Sequence, residues 1–539
     1  MDDAIGADTM SVGAKTQRVG SDMDRDVSQP VNDSADAARE RIQAAFDPEL
    51  LSAAGHRLVE QLGDHMHRLQ AGEGKVLNWT DPSELVDAAS ASLHHNAPYD
   101  AWQDADRRAL TRQFDQLVEM ALAGGINLHH PHYVGHQVAA AVPLAGLFDA
   151  LGAITNQVMA IYEMGPWATA VEQALVEELG QAIGWRTGRF AGLATHGGSL
   201  ANLTALLTAR NVALEDAWTY GVPKDGPTPV VVVHSDAHYS VARAVGILGI
   251  GTSNLLRAPL DAQRRMDPAR LDDMLSKLRR EGRPIIAVAA AACATPIGAF
   301  DPLPGITEVC QKHGVWLHVD AAHGGSARLS RKYQHLVTGL EQADSVVWDA
   351  HKMMFVPALC AFVFYRDPEH RFAAFEQDAP YLFDPSAPGI ADYDSALRTI
   401  ECTKRAAVFG LWGVWSLFGP QLFGDMVDVT FDLGRALFDK LRAAPDFEPL
   451  HRPECNIVAF RHVPQVMREA PAEELGRFQL DLRREIIESG EFYLVPTQAD
   501  GVGALRVTLI NPLTTPDDLD DLLDTLRHHG RILLDAQSA

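Results

Sequence analysis

Cysteine is scarce in this sequence, since its 539 residues include five, an odd number without any Cys-x-x-Cys spacing. This pattern argues against a secreted disulfide framework and predicts reduced thiols. Basic residues are also in deficit, with 46 Lys and Arg against 71 Asp and Glu, which gives a formal net charge of −25. That deficit argues against nucleic-acid binding and favours solubility. We therefore expect a cytoplasmic protein without a nucleic-acid partner.

Long hydrophobic runs are absent as well. The longest apolar run, from Ile285 to Ala294, is far shorter than the roughly 20 residues that a membrane-spanning helix needs. The sequence begins Met-Asp-Asp and shows no basic segment followed by an apolar one, so we expect neither a secretory signal nor a membrane partner. Hydrophobic residues nevertheless make up 47% of the chain, enough for an extensive core in more than one domain.

The apolar residues occur in short, strand-like segments that end in polar residues. Residues 315–322 deliver Asp320, and residues 343–354 deliver His351 and Lys352 side by side. Ligands bind at the carboxyl ends of the strands in an open parallel sheet, so an anion and an amine are expected there together. Pyridoxal phosphate needs both, because a lysine holds its aldehyde as a Schiff base and an acid keeps its pyridine nitrogen protonated.

Three further strand ends offer partners for the same cofactor. Gly197 and Gly198 let the backbone approach an anion, and Ser199 opens a helix with a hydroxyl and free N–H groups, which together form a phosphate cradle. His238 follows another apolar strand and is a candidate to stack on the cofactor ring, while Thr295 ends a fifth strand. Taken singly, a Gly-Gly-Ser turn is more often structural, and a loop histidine more often caps a helix.

In order, spacing and residue types, these segments resemble the pyridoxal-phosphate-dependent group II amino acid decarboxylases. That family includes the glutamate, cysteine sulfinate, aromatic amino acid and 2,4-diaminobutyrate decarboxylases. By this resemblance Lys352 matches the Schiff-base lysine, Asp320 the partner of the pyridine nitrogen and His238 the ring-stacking histidine. The cofactor-binding set that the resemblance implies is Gly197, Gly198, Ser199, His238, Thr295, Asp320, Ala322, Asp349, His351 and Lys352.

The resemblance implies that the protein releases carbon dioxide from an L-amino acid and leaves the amine. Tyr381, in a polar stretch predicted to be a loop, matches a tyrosine implicated in returning a proton to the substrate's Cα; the alternative is that it packs and anchors the loop. Members with phenylalanine at this position tend to form aldehydes, so the tyrosine favours decarboxylation over lyase, oxidative deaminase or aminotransferase chemistry. The candidate catalytic residues are Lys352, His238, Tyr381, Asp320 and His351.

Departures from the family pattern concern mainly the substrate. Asp349 stands where the family often has asparagine, and His323 where many members have an aromatic residue. Lys404 and Arg405 stand where the family usually reads Gly-Arg, and a lysine does not reproduce a bidentate arginine. A short acidic substrate, of the glutamate, aspartate or cysteine sulfinate type, is slightly favoured, while 2,4-diaminobutyrate and aromatic substrates remain open.

A histidine-rich segment, residues 128–137, is the one stretch that suggests a metal site. It lacks nearby acidic or cysteine ligands, and Pro131 breaks helical spacing, so we predict no metal. The family has a His-Pro-x-aromatic segment here that reaches the substrate pocket, often from the partner subunit. The candidate pocket residues are therefore His132, Tyr133, His136, His323, Lys404 and Arg405.

The chain is predicted to be organised in four parts. Residues 1–38 lack an apolar period and are predicted to be a disordered tail, and residues 39–129 have a helical pattern, which in the family contributes to dimerisation. Residues 130–412 alternate strands with helices, as in a parallel sheet covered on both faces, and residues 413–539 form a small α+β domain. This pattern predicts an α/β fold with a mainly parallel mixed sheet between helices, and the resemblance implies fold type I of the PLP-dependent transferases, in a homodimer.

Overall fold

The computed structural model describes residues 35–93, 104–375, 393–499 and 501–538. Contacts divide the chain into two compact units, residues 1–60 with 90–119, and residues 61–89 with 120–539. The helices before the first strand are α1 (Ala35–Ala45), α2 (Pro48–Gln70), α3 (Pro82–Leu93), α4 (Asp104–Gly124), α5 (Pro143–Thr155) and α6 (Pro166–Ile183).

In the first unit, ion pairs connect α4 to α2 and to the segment just before it. Arg57 Nε lies 3.2 Å from Asp115 Oδ2, and Arg107 Nη2 lies 2.8 Å from Asp47 Oδ2. This part of the chain is helical, as the sequence predicts. Its role in dimerisation stays a prediction, and so do the three boundaries between the four predicted parts.

The second unit is built on a seven-stranded mixed sheet with the strand order β1-β7-β6-β5-β4-β2-β3. Strands β3, β2, β4, β5 and β6 are parallel, and β7 runs antiparallel to β6 and β1. The elements of this region are β1 (Ala191–Thr195), α7 (Gly198–Ala213), α8 (Ala217–Tyr220), β2 (Val230–His234), α9 (Tyr239–Ile247), β3 (Leu255–Ala258), α10 (Pro268–Arg280), β4 (Ile285–Ala291), α11 (Leu303–His313), β5 (Trp316–Asp320), β6 (Ser345–Asp349) and β7 (Ala361–Tyr365).

Strands β1, β2, β4, β6 and β7 are buried along their whole length, and β5 is buried up to its last residue. Runs such as residues 230–233 are apolar at consecutive positions because helices cover both faces of a parallel sheet. The strand register aligns the carboxyl ends, since Ala291 pairs with Asp320 and Asp320 with Val347. The residues that follow these strands therefore meet at one edge of the sheet.

A four-stranded antiparallel sheet follows, with the order β10-β11-β9-β8. Helices α13, α14 and α15 pack on it around a separate hydrophobic core. Within the described ranges, no helix combines the length and the apolar composition needed to span a bilayer. The remaining elements are α12 (Phe409–Phe418), α13 (Gln421–Ala443), β8 (Phe447–Pro449), β9 (Ile457–His462), α14 (Ala472–Ser489), β10 (Val495–Ala499), β11 (Val502–Thr508) and α15 (Pro516–Ser538).

Candidate active site

A cavity of about 260 Å³ lies at the carboxyl edge of the seven-stranded sheet. Most of the residues that line it lie at or after the carboxyl ends of β1, β2, β4, β5 and β6, so the sheet brings five distant segments together. All ten predicted cofactor-binding residues are among them, and so is His323. The lining residues named in the sequence analysis are Gly197, Gly198, Ser199, His238, Thr295, Asp320, Ala322, His323, Asp349, His351 and Lys352.

The amine of Lys352 points at a carboxylate in this cavity. Its Nζ lies 3.2 Å from Asp349 Oδ2, and the lysine side chain is largely buried. Burial alone would lower the pKa of Lys352, but Asp349, and then Asp320, raise it, and the net result is a pKa above the ordinary value. In the cofactor-free protein this lysine is therefore held as an ammonium ion.

The turn between β1 and α7 forms a cradle beside this pair. Gly197 has a φ of +104°, which favours glycine, and α7 begins at Gly198. A Cβ atom added at Gly198 would lie 2.7 Å from Asp349 Oδ2, so only glycine fits there. The first turn of a helix presents N–H groups that have no intrahelical partner, and these favour an anion.

Asp320 and His238 are held from behind by hydrogen bonds. Asp320 Oδ1 accepts from the backbone N–H of Ala322 at 3.2 Å, and Oδ2 accepts from Asn202 Nδ2 at 3.0 Å. His238 caps α9, because its Nδ1 accepts from the backbone N–H of Ser240. Burial lowers the pKa of His238, partly offset by Asp320, so the ring is neutral near pH 7. The histidine is thus a helix cap that also lines the cavity.

These groups fit pyridoxal phosphate. The Gly197-Gly198 turn leaves room for an anion at a helix N-terminus, where a side chain at Gly198 would collide. Lys352 could supply a buried primary amine for the aldehyde, and Asp320 could supply a carboxylate for the pyridine nitrogen. One contact is unfavourable for a phosphate, because Asp349 places its carboxylate against the cradle and its Oδ1 has no hydrogen-bond partner among the described residues.

The predicted substrate residues are distributed differently. His323 lines the cavity and is fully buried, with Nε2 at 2.8 Å from Asn456 Oδ1; burial lowers its pKa to about 3, so it is neutral. Lys404 does not line the cavity, since its buried Nζ contacts Glu172 at 2.7 Å and a backbone carbonyl. Arg405 pairs with Asp149 at the surface.

The predicted pocket residues of the histidine-rich segment also lie outside the cavity lining. His132 stacks on Phe492, and Tyr133 is buried next to Tyr493. His136 lies 5.8 Å from the Tyr493 ring. Their roles stay predictions. Tyr381 lies outside the described residues.

In the folded protein, His132 lies close to acidic residues that are distant from it in sequence. Two acids of α15, Asp518 and Asp521, come close enough that the three potential ligand atoms lie within 4.8 Å of one another. The local sequence contains no acid, because these side chains come from almost 400 residues away. A cluster of one histidine and two aspartates near the surface is not by itself a metal site. The predicted absence of a metal stays a prediction.

Sequence reasoning missed several groups at or near the cavity. Asn202, Ser240 and His196 line it, and His196 Nδ1 lies 2.6 Å from Glu401 Oε1. Arg506 lies behind Thr295 and donates from Nη1 to its carbonyl oxygen at 3.1 Å. His196 stands directly before the Gly-Gly turn, which was a usable signal. Arg506 belongs to β11, and no local pattern connects it to the cavity.

The sequence matches the family model described as the pyridoxal-dependent decarboxylase conserved domain over residues 96–463, more than half of the chain. The chain belongs to this decarboxylase family. The cofactor of this decarboxylase is pyridoxal phosphate, and its reaction is the decarboxylation of an amino acid. The predictions of family, cofactor and reaction are confirmed.

Relatives with different substrates resemble this decarboxylase to a similar degree. The cysteine sulfinic acid decarboxylase of Rattus norvegicus is 29% identical, covering 85% of this chain and 92% of that one. The acidic amino acid decarboxylase GADL1 of Mus musculus is 28% identical, covering 85% and 82%. The L-2,4-diaminobutyrate decarboxylase of Acinetobacter baumannii is 27% identical, covering 84% and 92%.

The fold agrees with the family. The crystal structure of mouse CSAD superposes with a TM-score of 0.81 and 26% identity, covering 90% of this chain and 99% of that one. The α/β prediction with a mainly parallel mixed sheet is confirmed. The substrate is not distinguished by these relatives.

Proposed function

We propose that this decarboxylase acts on a short acidic L-amino acid of the glutamate, aspartate or cysteine sulfinate type. The observation that carries the proposal is Arg506, which does not line the cavity itself but contacts the lining residue Thr295 from behind. It is 8% exposed, and no carboxylate of the described residues lies within ion-pair distance of it. Two relatives whose names specify acidic substrates, at 28% and 29% identity, support the same substrate class.

The guanidinium of Arg506 is incompletely satisfied. It donates to the Thr295 carbonyl and, at 3.4 Å, to Thr508 Oγ1, while its Nε has no partner among the described residues. Burial lowers the pKa of Arg506, but an arginine side chain stays charged in proteins. Burying an unpaired charge is costly, so we assign the side-chain anion of an acidic substrate as the partner of Arg506; pairing with the α-carboxylate, which every L-amino acid carries, would not distinguish the substrate class.

We propose roles for the other residues that line the cavity. The N–H groups of the Gly197-Gly198 turn would hold the cofactor phosphate, Lys352 would hold its aldehyde, and Asp320 would hold the proton of its pyridine nitrogen. The neutral ring of His238 would help to bind the cofactor ring. When bound, pyridoxal phosphate supplies a ring that accepts the electron pair left at Cα as carbon dioxide departs.

We assign the return of the proton to Cα to Tyr381. Tyr381→Phe removes the phenolic hydroxyl group with its proton, so we expect the amine product to fall and, in air, an aldehyde to replace part of it, with dioxygen as the oxidant and ammonia and hydrogen peroxide as co-products. Product analysis of both proteins with the same substrate checks this. An unchanged yield of amine would assign the proton to another group.

A second substrate class is favoured by a different observation. Glu401 pairs with His196 at the cavity, and the carboxyl group of Glu401 has a pKa below its ordinary value because the hydrogen bond and charge of His196 outweigh the effect of burial. A carboxylate near the cavity would suit the ammonium group of 2,4-diaminobutyrate, the substrate in the name of a relative at 27% identity.

We also propose a cytoplasmic homodimer. The five cysteines are all free, and four are buried, which suits a reducing compartment. One face of α5 exposes an apolar stripe at positions 144, 147, 151 and 154, with side chains 39 to 63% exposed. Stripes of this kind mark protein interfaces, and a second copy of the chain is the proposed partner.

The deciding experiment is a substrate panel. The purified protein is loaded with pyridoxal phosphate, and carbon dioxide release is measured with L-glutamate, L-aspartate, L-cysteine sulfinate, L-2,4-diaminobutyrate and L-tryptophan, with Lys352→Ala as the inactive control. We expect the highest kcat/KM for one of the three acidic substrates. A higher value for diaminobutyrate would favour the Glu401 alternative, and a higher value for tryptophan would overturn both.

A further inference from the structure

A chain of hydrogen bonds behind the cavity connects residues of β5 and β6 with Asn202 in α7 and Ser240 in α9. Its members are almost all buried, and each link lies between 2.8 and 3.0 Å. We call it the buried hydrogen-bond chain. Its linear part runs from Trp316 through Ser345 and His318 to Asn202. At Asn202 it divides into two branches, one to Asp320 and the other through Ser240 to His238.

The Asp320 end determines the direction of the links. A carboxylate only accepts, so the atom of Asn202 that lies 3.0 Å from Asp320 Oδ2 must be its amide nitrogen. The amide oxygen of Asn202 then faces His318 Nε2 at 2.8 Å, and this nitrogen must carry a hydrogen. If the side-chain amide of Asn202 were flipped, its oxygen would face Asp320 Oδ2 at 3.0 Å, and neither atom could donate a hydrogen.

The opposite end is consistent with this direction. His318 is fully buried, and burial lowers its pKa to about 4, so the ring is neutral and Nδ1 carries no hydrogen. Ser345 Oγ, 2.9 Å away, donates to Nδ1. Ser345 Oγ in turn accepts from the indole N–H of Trp316, a group that can only donate. Asp320 at one end can only accept, and the indole N–H of Trp316 at the other end can only donate. The hydrogen bonds between them therefore have a single direction.

The second branch fixes His238. Ser240 Oγ accepts from Asn202 Nδ2 at 3.0 Å, so its own hydrogen is directed to His238 Nδ1 at 2.9 Å. The backbone N–H of Ser240 also points at this nitrogen. The neutral ring of His238 therefore carries its hydrogen on Nε2.

We propose that the buried hydrogen-bond chain positions Asp320 and His238 together, with Asn202 as their shared donor. Asn202, His318 and Ser345 are then positioning residues for the cofactor, which they act on through Asp320 and His238. Loss of one link would let the carboxylate and the imidazole turn away from their common orientation. The inference rests on the cofactor assignment and not on the proposed substrate.

A matched pair of substitutions at His318 tests the direction. A glutamine places its amide nitrogen near the position of the histidine Nε2, so His318→Gln keeps the donor to Asn202. An asparagine reaches only the position of Nδ1, so His318→Asn loses that donor. We expect the pyridoxal phosphate concentration that gives half of the visible absorption change to stay within about threefold for glutamine and to rise roughly tenfold for asparagine.

Thermal unfolding of the same proteins without cofactor separates positioning from general stability. If His318 had a purely structural role, the half-saturation concentration of the two variants would change in proportion to their unfolding temperatures. It would not depend on whether the substituted side chain keeps the donor to Asn202. That result, or equal half-saturation for both variants, would overturn the proposal. Failure of all substrates in the panel would not affect this measurement, because it reports cofactor binding alone.

The tautomers give an independent measurement if the His318 variants do not fold. In cofactor-free protein labelled with ¹⁵N-histidine, we expect the resonances of His318 and His238 to show hydrogen on Nε2 and none on Nδ1 at pH 7. Ser345→Ala removes the donor to His318 Nδ1, so we expect the His318 resonances to move towards a mixture of tautomers. Hydrogen on Nδ1 of either ring in the unmodified protein would contradict the assigned direction.

Discussion

Burial and charge act on the Lys352 amine in opposite directions. Burial favours the neutral amine, whereas Asp349 at 3.2 Å and the more distant Asp320 favour the ammonium ion, and the charges prevail. Only the neutral amine attacks an aldehyde, so this pair slows the loading of the cofactor.

Asp349→Asn removes the negative charge that raises the pKa of Lys352 most. The pKa then falls, and at a given pH below it the neutral fraction rises about tenfold for each unit of the fall. We expect faster development of the visible absorption after pyridoxal phosphate is added, with the pH dependence of the rate shifted to lower pH. Stopped-flow measurements between about pH 7 and pH 9 check this. An unchanged rate would mean that Asp349 does not control the lysine.

Arg506 and Arg405 provide a matched comparison at the same scale. Arg506 is buried and has no carboxylate partner in the described part of the chain, and Arg405 is exposed and paired with Asp149. Arg506→Lys loses the planar fork, so we expect kcat/KM for the preferred substrate to fall roughly 30-fold or more. Arg405→Lys should change it by less than about twofold, since exposed pairs contribute little. Steady-state kinetics of both variants measures kcat/KM. A large fall in kcat/KM for the Arg405 variant would indicate that Arg405 binds the substrate.

At the scale of elements, the junction of β1 and α7 depends on a missing side chain. A Cβ at Gly198 would lie 2.7 and 2.8 Å from the two carboxylate oxygens of Asp349, a buried residue with little room to move. We expect Gly198→Ala to lower the free energy of unfolding by about 1–3 kcal/mol and to weaken cofactor binding. Thermal unfolding and cofactor titration measure the two effects.

The control is a glycine with open space around it. Gly63, within α2, has no atom within 4 Å of an added Cβ. Alanine suits a helix interior better than glycine by roughly 0.5–1 kcal/mol, so Gly63→Ala should be neutral or stabilising. If both variants lose cofactor affinity equally, the loss is not caused by contact with Asp349.

Elements also explain which parts of the site were predictable from sequence. Buried parallel strands have a clear apolar signature, and Asp320, Lys352 and His238 stand at or just after their ends, where local sequence finds them. Asn202 lies inside a helix, where nothing local marks it as a partner of β5. Arg506 comes from β11, and only the packing of the two sheets reveals that it contacts Thr295.

Lys404 shows a further limit of sequence reasoning. Its charge suggested a substrate contact, yet the ammonium group is buried against Glu172, which lies 232 positions earlier. Two charges this far apart in sequence give no local sign that they neutralise each other. The pair joins the segment after Thr403 to α6, and neither residue lines the cavity.

At the scale of the whole molecule, the exposed stripe of α5 bears on assembly. Leu144, Leu147, Leu151 and Ile154 recur at helical spacing on the face of α5 that points away from the core. On a monomer this face would expose large aliphatic side chains to water along three turns. Burial against a second copy would remove that surface at roughly 25 cal/mol for each Å².

The paired substitution Leu151→Glu with Ile154→Glu puts two charges into this stripe. An interface that buries them unpaired is strongly destabilised, so we expect the protein to shift from dimer to monomer. Size-exclusion chromatography with light scattering measures the mass. Leu480→Glu is the control, since Leu480 in α14 is 47% exposed, as is Leu151, but stands outside the stripe. A dimer that survives the paired substitution would place the interface elsewhere, and an unmodified protein that is already monomeric would refute the proposed assembly.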